Sequence, residues 1–559
     1  MFCLLSSFNS PVTAPPLDFI YIVGDVRLFS CLNFPGNGFA SQKICLGELE
    51  AVKITAFRCV WVSKSTSKQE GVAFVKPMSI PNGFHSLGDS CYPSSSKFHE
   101  YTLAVREISD SNCPNHINNN GRTSGSSALK KPLRYELIWS YDTQFNGSCF
   151  IWKPVAPPGY MTMGNVVSET PEEPGTDEVI CIRENLTCCS EPNDLLLSLS
   201  SFKVWNTTPC IRGTLSQGVS VGTFCCSISN KSQVEAYCLK NTDSSFKYMP
   251  TIDQIHALIQ TYGPTLYFHP EESFFPSSVQ WFFKNGALLF KEGCKEGKPI
   301  TNEGSNLPSG GINDGYFWID LPEDEERREI VKHGNMESSL LYVHVKPAMG
   351  GTFTDIAMWV FCPFNGPGTL KVGAVTISMG KIGQHVGDWE HFTLRVCNFT
   401  GELWQLFCSE HSGGRWVDAS ELGFVEGNKA AVYSSKNGHA SYPHPGTYLQ
   451  GITKFGVGLR NDVDKSDFFI DSSENYEVIS AAYLGREIEE PCWLQYMREW
   501  GPTIVYSSRS EIDKLLESLP FFIRFSVENF IYMFPTEIYG EEGPTGPKEK
   551  DNWLGDEIC

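Results

Sequence analysis

No run of eighteen consecutive apolar residues occurs in the chain, so no segment of it reads as a membrane-spanning helix. The opening residues, MFCLLSSFNSPVTA, carry no positive charge and only a short apolar run, which argues against a secretory signal peptide. Basic residues are in deficit. Against 64 Asp and Glu stand 44 Lys and Arg, a formal charge of -20, and a broad electrostatic footprint for nucleic acid is thereby excluded. Walker A and dinucleotide-binding glycine loops are missing, as are CxxC pairs and Cys/His zinc spacings. Ser441 has no base and acid in triad order, which leaves nucleophilic catalysis without a sequence basis.

What remains is a globular chain too large for one core: 559 residues, 41% hydrophobic and 13% aromatic, imply two or three domains. It has 20 cysteines. Most precede residue 240, where they alternate with apolar residues in strand-like runs such as CIREN, GTFCCSIS and AYCLKN. A chain of this size is stabilised by burial, so these read as reduced, half-buried thiols in an intracellular protein. Redox chemistry would enter only at the vicinal pairs Cys188-Cys189 and Cys225-Cys226.

The amino-terminal part repeats itself. After a variable segment 1–41, one strand-turn-strand unit recurs at residues 57–108, 135–185 and 202–241, each copy with a Pro-rich turn and a later glycine (Gly88, Gly164, Gly222). Three copies of a small β unit predict a closed three-fold arrangement, because closure hides the edges that one copy would expose. The expectation for 42–245 is a β-prism-like module. A polar, low-complexity stretch between the first two copies reads as a surface loop. From 246 the pattern changes: TIDQIHALIQTYG predicts a helix capped by Thr251 and ended by Gly263-Pro264. Strand runs then dominate to 540 (LLYVHVKPA, DIAMWVFCPF, EHFTLRV, LWQLFCSE), which predicts an antiparallel β-sandwich with a few peripheral helices, one of them at 511–519. Residues 541–559 read as a loosely held tail from which Trp553-Leu554 dock. The predicted class is mainly β.

Chemistry concentrates in GQHVGDWEH. A period of two puts Asp388, Glu390, Phe392 and Leu394 on one strand face, so two carboxylates share a face that goes on to bury apolar side chains. Such charges cost several kcal/mol each unless paired, protonated or bound to a cation. His385 would point the other way in an unbroken strand, and Gly387 is where a bulge or turn could bring it round. Two carboxylates and one imidazole suit a hard divalent cation, Ca²⁺, Mg²⁺ or Mn²⁺, better than zinc. The plainer reading has Asp388 and Glu390 accepting backbone hydrogen bonds while His385 caps a turn. Phe274, Phe275, Trp281, Phe282 and Phe283 read as core, and His269 as a loop histidine beside Glu271 and Glu272.

Long blocks resemble a known family. GFASQKICLGELE, YGPTLYFHPEESFFPSSVQWFFKNGALL, YVHVKPAMGGTFTDIAMWVFCPFNGPGTLKVG, HSGGRWVDASEL and EPCWLQYMREWGPTIVY are similar to the plant DUF946 group, related to the fungal vacuolar protein sorting-associated protein 62. The resemblance covers nearly the whole chain and implies a place near vacuolar trafficking. More locally, QHVGDWE resembles the GHRHDWE heptapeptide of necrosis- and ethylene-inducing-like cytolysins, whose His, Asp and Glu hold a divalent cation in a β-sandwich that recognises sphingolipid headgroups. That likeness implies metal-ligand roles for His385, Asp388 and Glu390, and pocket positions near Asn365, His411, His439 and His444. Asn365 stands where the cytolysins have an acid. What the resemblances imply is a non-enzymatic, cytoplasmic protein, peripheral on vacuolar or endosomal membranes, binding lipid or glycan headgroups through the cation and a protein partner through the amino-terminal module. The alternative is a metal-dependent hydrolase or lyase at the same site, with His411 or His439 as general base.

Overall fold

The computed structural model describes residues 20–22, 38–63, 71–94, 100–108, 126–143, 147–199, 202–228, 234–411, 413–452, 457–503, 517 and 543–557. Most of the variable segment and of the loop between the first two copies lies outside these residues, as does the helix expected at 511–519 apart from residue 517. Contacts gather into two compact units, one mainly Ser41–Arg212 and Ser216–Ser245, the other mainly Phe246–Cys559.

In the first unit each copy forms an antiparallel meander. The strands are Ala56–Val62, Val72–Pro77 and Ser90–Pro93, then Arg134–Thr143, Gly147–Val155 and Val166–Ser168, then Thr187–Ser198, Phe202–Pro209 and Phe224–Ile228. All three meanders feed one core: Trp61, Phe74 and Cys91 meet Cys149, Ile151 and Val167, and Leu197, Phe202 and Phe224. The backbone closes the same way. Asp89 N–H donates to Asn165 O, Asn165 N–H to Phe224 O, and Phe224 N–H to Asp89 O, at 2.9, 3.4 and 3.4 Å, a ring of three hydrogen bonds about a pseudo-three-fold axis. A Cβ on Gly88 would lie 3.2 Å from Gly164 Cα, so glycine is needed where these backbones pass.

The third copy is shifted from its expected span. FKVWNTTP is its second strand, and its first is Thr187–Ser198, TCCSEPNDLLLS. Pro192 and Asn193-Asp194 break the alternation that would reveal a strand; the ladder absorbs them through register shifts between Pro192 and Leu195 and again before Leu197.

The second unit opens with the helix Ile252–Tyr262. Thr251 accepts from Gln254 N–H while the Gln254 side chain accepts from Thr251 N–H, a capping box, and Ile255, Leu258 and Ile259 face the core. A six-stranded sheet follows in the order Gly414–Asp418, Leu403–Ser409, His385–Cys397, Phe353–Asn365, Leu341–Ala348, Tyr476–Ser480. Both its faces are covered. Ile356, Met358, Val360, Phe392 and Leu394 pack with the helix on one side, and Ala357, Trp359, Phe361 and Trp389 pack with Trp493 and Trp500 on the other. Phe282 and Phe283 lie in that second core, as expected of them. Among the described residues two strand-to-strand pairings are parallel, Leu341–Ala348 with Tyr476–Ser480 and Thr265–Tyr267 with Lys429–Ser434. Residue periodicity marks a strand and its faces and carries no direction of pairing.

The carboxyl-terminal segment corrects the expectation of a loose tail. Trp553 is buried and stacks on His344 with ring centroids 3.8 Å apart, and the buried Lys346 ammonium donates to the carbonyls of Asn552 and Gly555. Asp556 accepts from Arg395 at 2.7 Å, while Glu557 accepts from Thr393 at 2.6 Å and pairs with His391 at 3.0 Å. No helix among the described residues is long and apolar enough to cross a membrane.

Candidate metal centre

His385, Asp388 and Glu390 lie at the start of the strand His385–Cys397, paired in register with Asn365, Cys362 and Val360 of Phe353–Asn365. No residue is inserted. Instead Gly387 takes φ +67°, opposite Pro363, which has no N–H to give the ladder. The alternation of faces changes phase there, because Val386 and Trp389 both enter the same core, which an unbroken strand forbids. His385 is thereby turned to the side of Asp388, its Nε2 3.9 Å from Asp388 Oδ1. A Cβ on Gly387 would sit 2.4 Å from Trp500 O, so the twist and the close packing require glycine together.

Asp388 is buried, and its other oxygen is already taken: His439 Nδ1 lies 2.7 Å from Oδ2. The second ring nitrogen of His439 is 2.7 Å from the carbonyl of Phe274. A carbonyl and a carboxylate are both acceptors, so both nitrogens donate and the ring is an imidazolium. Burial opposes that charge, but Cys362, Asp388 and Glu272 around it outweigh burial and hold His439 well above the ordinary imidazole range. For Asp388, burial pushes the carboxyl up, while the hydrogen bond from His439 and the neighbouring imidazoles bring it net below its usual range. Cys362, Asp388 and His439 place potential ligand atoms within 4.8 Å of one another, all buried. With both nitrogens protonated, His439 offers no lone pair to a metal, and none to a general base.

Glu390 behaves differently. Burial, then the charge of Asp388, push it up to about 8, so it carries a proton at neutral pH, and Ser409 donates to its Oε2 at 3.0 Å. His385 is pushed down by burial, which leaves it neutral, and its Nδ1 is buried without a hydrogen-bond partner. The premise that protein groups alone leave these acids uncompensated is therefore corrected: an imidazolium answers Asp388 and a proton answers Glu390. What is left unused is a neutral imidazole, one oxygen of Asp388, and a carboxyl that a cation could deprotonate. That donor set suits a hard divalent cation.

The other expected pocket residues divide. Asn365, opposite His385 in the ladder, donates its amide to Gly366 O and to Gly383 O at 2.6 Å, and so holds the backbone of the preceding loop. His411 Nε2 is hydrogen-bonded to Asn461 Oδ1 at 2.9 Å and lines a cavity of about 210 Å³ with Glu390, His391, Glu410 and Lys550. His444 is exposed and does not line that cavity. His269 accepts from Glu271 N–H, a satisfied loop histidine. Missed in sequence were Cys362, Glu272 beneath His439 at 4.0 Å, and Lys550, whose charge reaches Asp388 and Glu390 from the carboxyl-terminal segment. Glu272 accepts from the N–H groups of Ser273, Phe274 and Asn437, so it ties the loop before the sheet to the loop that carries His439.

The vacuolar protein sorting-associated protein 62 of Saccharomyces cerevisiae is 23% identical over 353 residues, covering 53% of this chain and 73% of the yeast protein. A second yeast protein, TDA6, is 22% identical over 297 residues, covering 45% of this chain and 61% of its own. Among solved structures, GNIP1Aa from Chromobacterium piscinae gives a TM-score of 0.25 at 12% identity, covering 37% of this chain and 40% of that one. Necrosis and Ethylene inducing Protein 2, from the causal agent of cocoa's Witches Broom disease, gives 0.20 at 16% identity over 34% of this chain and 67% of its own. The model of the family described as vacuolar protein sorting-associated protein 62 matches residues 30–557, so the chain belongs to the Vps62 family.

Proposed function

We propose that this chain acts in vacuolar sorting as a peripheral binder of lipid or glycan headgroups, through a divalent cation held by His385, Asp388 and Glu390. The family and the names of its yeast relatives support the sorting role. One observation carries the cation: a neutral, partly unpartnered imidazole 3.9 Å from the free oxygen of Asp388, on the strand face that also carries Glu390. A carboxylate oriented by His439 and a neutral imidazole, with one ring nitrogen unprotonated, are the states that metal ligands need. The cation would supply a fixed positive charge for a headgroup hydroxyl or phosphate. Lys550 would add a second on the same side. The amino-terminal module, a separate unit with its own core, is free in this reading to bind a protein partner.

The test is flotation of the full chain with phosphatidylcholine vesicles carrying either a phosphoinositide or a glycosylated sphingolipid, in Ca²⁺, Mg²⁺, Mn²⁺ or chelator, beside elemental analysis of the purified protein. Cation-dependent flotation lost in Asp388→Ala supports the reading. Equal flotation of wild type and variant, or no metal taken up by either, removes the mechanism.

A further inference from the structure

We propose that Cys189 and Cys210 form a peroxide-oxidisable dithiol, a modification site in the first unit that closes reversibly to a disulfide. In the ladder between Thr187–Ser198 and Phe202–Pro209, Glu191 faces Thr208 and Ser190 faces Pro209. One step further, just past the end of the second strand at Pro209, the pairing continues through a single hydrogen bond: Cys210 N–H donates to Cys189 O at 3.2 Å, which sets Cys210 opposite Cys189. Directly opposed, hydrogen-bonded residues of antiparallel strands share a face, with Cα atoms about 5.5 Å apart. That lies inside the roughly 4.4–6.8 Å window of disulfides, so closure asks little of the backbone.

Accessibility singles out Cys189, which is exposed; Cys210, Cys188 and Cys226 are half-exposed, and Cys225 and Cys238 are buried. Cys188, next in sequence to Cys189, points to the opposite face of the strand. Its ladder partner is the buried Cys238, whose thiol is turned toward the carbonyls of Cys188 and Cys189 at 3.7 and 3.6 Å. The two proposed thiols also contact each other: burial, then the hydrogen bond with Cys189, push Cys210 up to about 11. Cys189 is the more exposed of the two, which makes it the first nucleophile and the half-exposed Cys210 the resolving thiol.

The chemistry needs only hydrogen peroxide. The Cys189 sulfur attacks the O–O bond, which breaks to leave Cys189 sulfenic acid and one water. The Cys210 sulfur then attacks the sulfenic sulfur, the S–O bond breaks, and the oxygen leaves as a second water with the Cys210 proton. Two thiols are oxidised by two electrons, and one peroxide is reduced to two waters. A small dithiol reverses it by exchange.

The chain has 20 cysteines, so thiol counting is ambiguous and peptide mapping is decisive. Full-length protein treated with dilute hydrogen peroxide and then alkylated should yield a Cys189–Cys210 cross-linked peptide, two hydrogens lighter than its parts and absent after dithiothreitol. Cys210→Ser should leave Cys189 trapped by dimedone as sulfenic acid, and Cys188→Ser should leave the cross-link intact. A cross-link from Cys188 to Cys189 or to Cys238 overturns the proposal. So does oxidation of Cys189 to sulfinic acid in the wild type while Cys210 stays alkylatable.

Discussion

On one face of the six-stranded sheet Arg395 grips Asp355 through two hydrogen bonds of 2.8 Å and Asp556 through a third of 2.7 Å, while Glu557 takes Thr393 and His391. On the other face Asp388 and Glu390 lie with His385 and His439. Both clusters bury charge in the same unit. The first is closed: each guanidinium and carboxylate is answered by another protein group, as a buried ion network must be if it is to hold a segment in place. The second is answered only in part, by an imidazolium, a proton and one hydroxyl, and an imidazole nitrogen is left over. Closed charge clusters fasten structure. The open one has donor atoms to spare, and it is there that the proposed cation would bind.

Removing a partner from the closed network is the harshest test of that contrast. Arg395→Met should cost about 3–5 kcal/mol in urea unfolding, because it strands Asp355 and Asp556 without a counter-charge. A cost under about 1 kcal/mol would mean the network is not closed. At the open cluster, Gly387→Ala should cost on the order of 1–3 kcal/mol for the left-handed backbone alone, with more from the contact to Trp500 O, and should weaken any cation uptake by turning His385 away. An unchanged midpoint and uptake would detach the site from the twist.

A gentler probe of the closed face is pH. Burial pushes Glu557 up, but His391, Lys346 and Thr393 outweigh it and hold the carboxyl well below its usual range. A depressed carboxylate contributes stability that is present above the unfolded value of about 4.3 and is lost as pH falls below it. Glu557→Gln should therefore lose about 1–3 kcal/mol at neutral pH and show a flatter acid limb in unfolding followed as a function of pH. The smallest effect belongs far from both clusters. Thr251→Ala removes one capping hydrogen bond and should cost about 1 kcal/mol, with neither acid limb nor cation uptake altered.

Particular residues show where reading the chain worked. The helix cap at Thr251, the strand EHFTLRV and the two inward acids follow from local spacing, and local spacing survives folding because a helix cap or a strand face is decided by neighbours within a few residues. The third copy of the amino-terminal repeat was legible only in part, since a proline and an Asn-Asp pair hide a bulged strand. At the site, Gly387 could be named as a place where a bulge or turn would be permitted, although not that the chain would turn by a change of phase without an inserted residue. His439 lies 51 residues from Asp388, and Glu557 lies 166 from His391. Nothing in the spacing of either pair announces the contact.

The amino-acid sequence by itself determined the mainly β character, the three-fold repetition and the face on which Asp388 and Glu390 fall, because each depends on a short-range period that backbone geometry turns directly into direction. Tertiary structure alone decided that Asp388 would be answered by His439, that Glu390 would keep its proton, and that the final residues would seal the opposite face. Those outcomes depend on which distant segments are brought together and on how far water is excluded where they meet, and both are properties of the packed molecule.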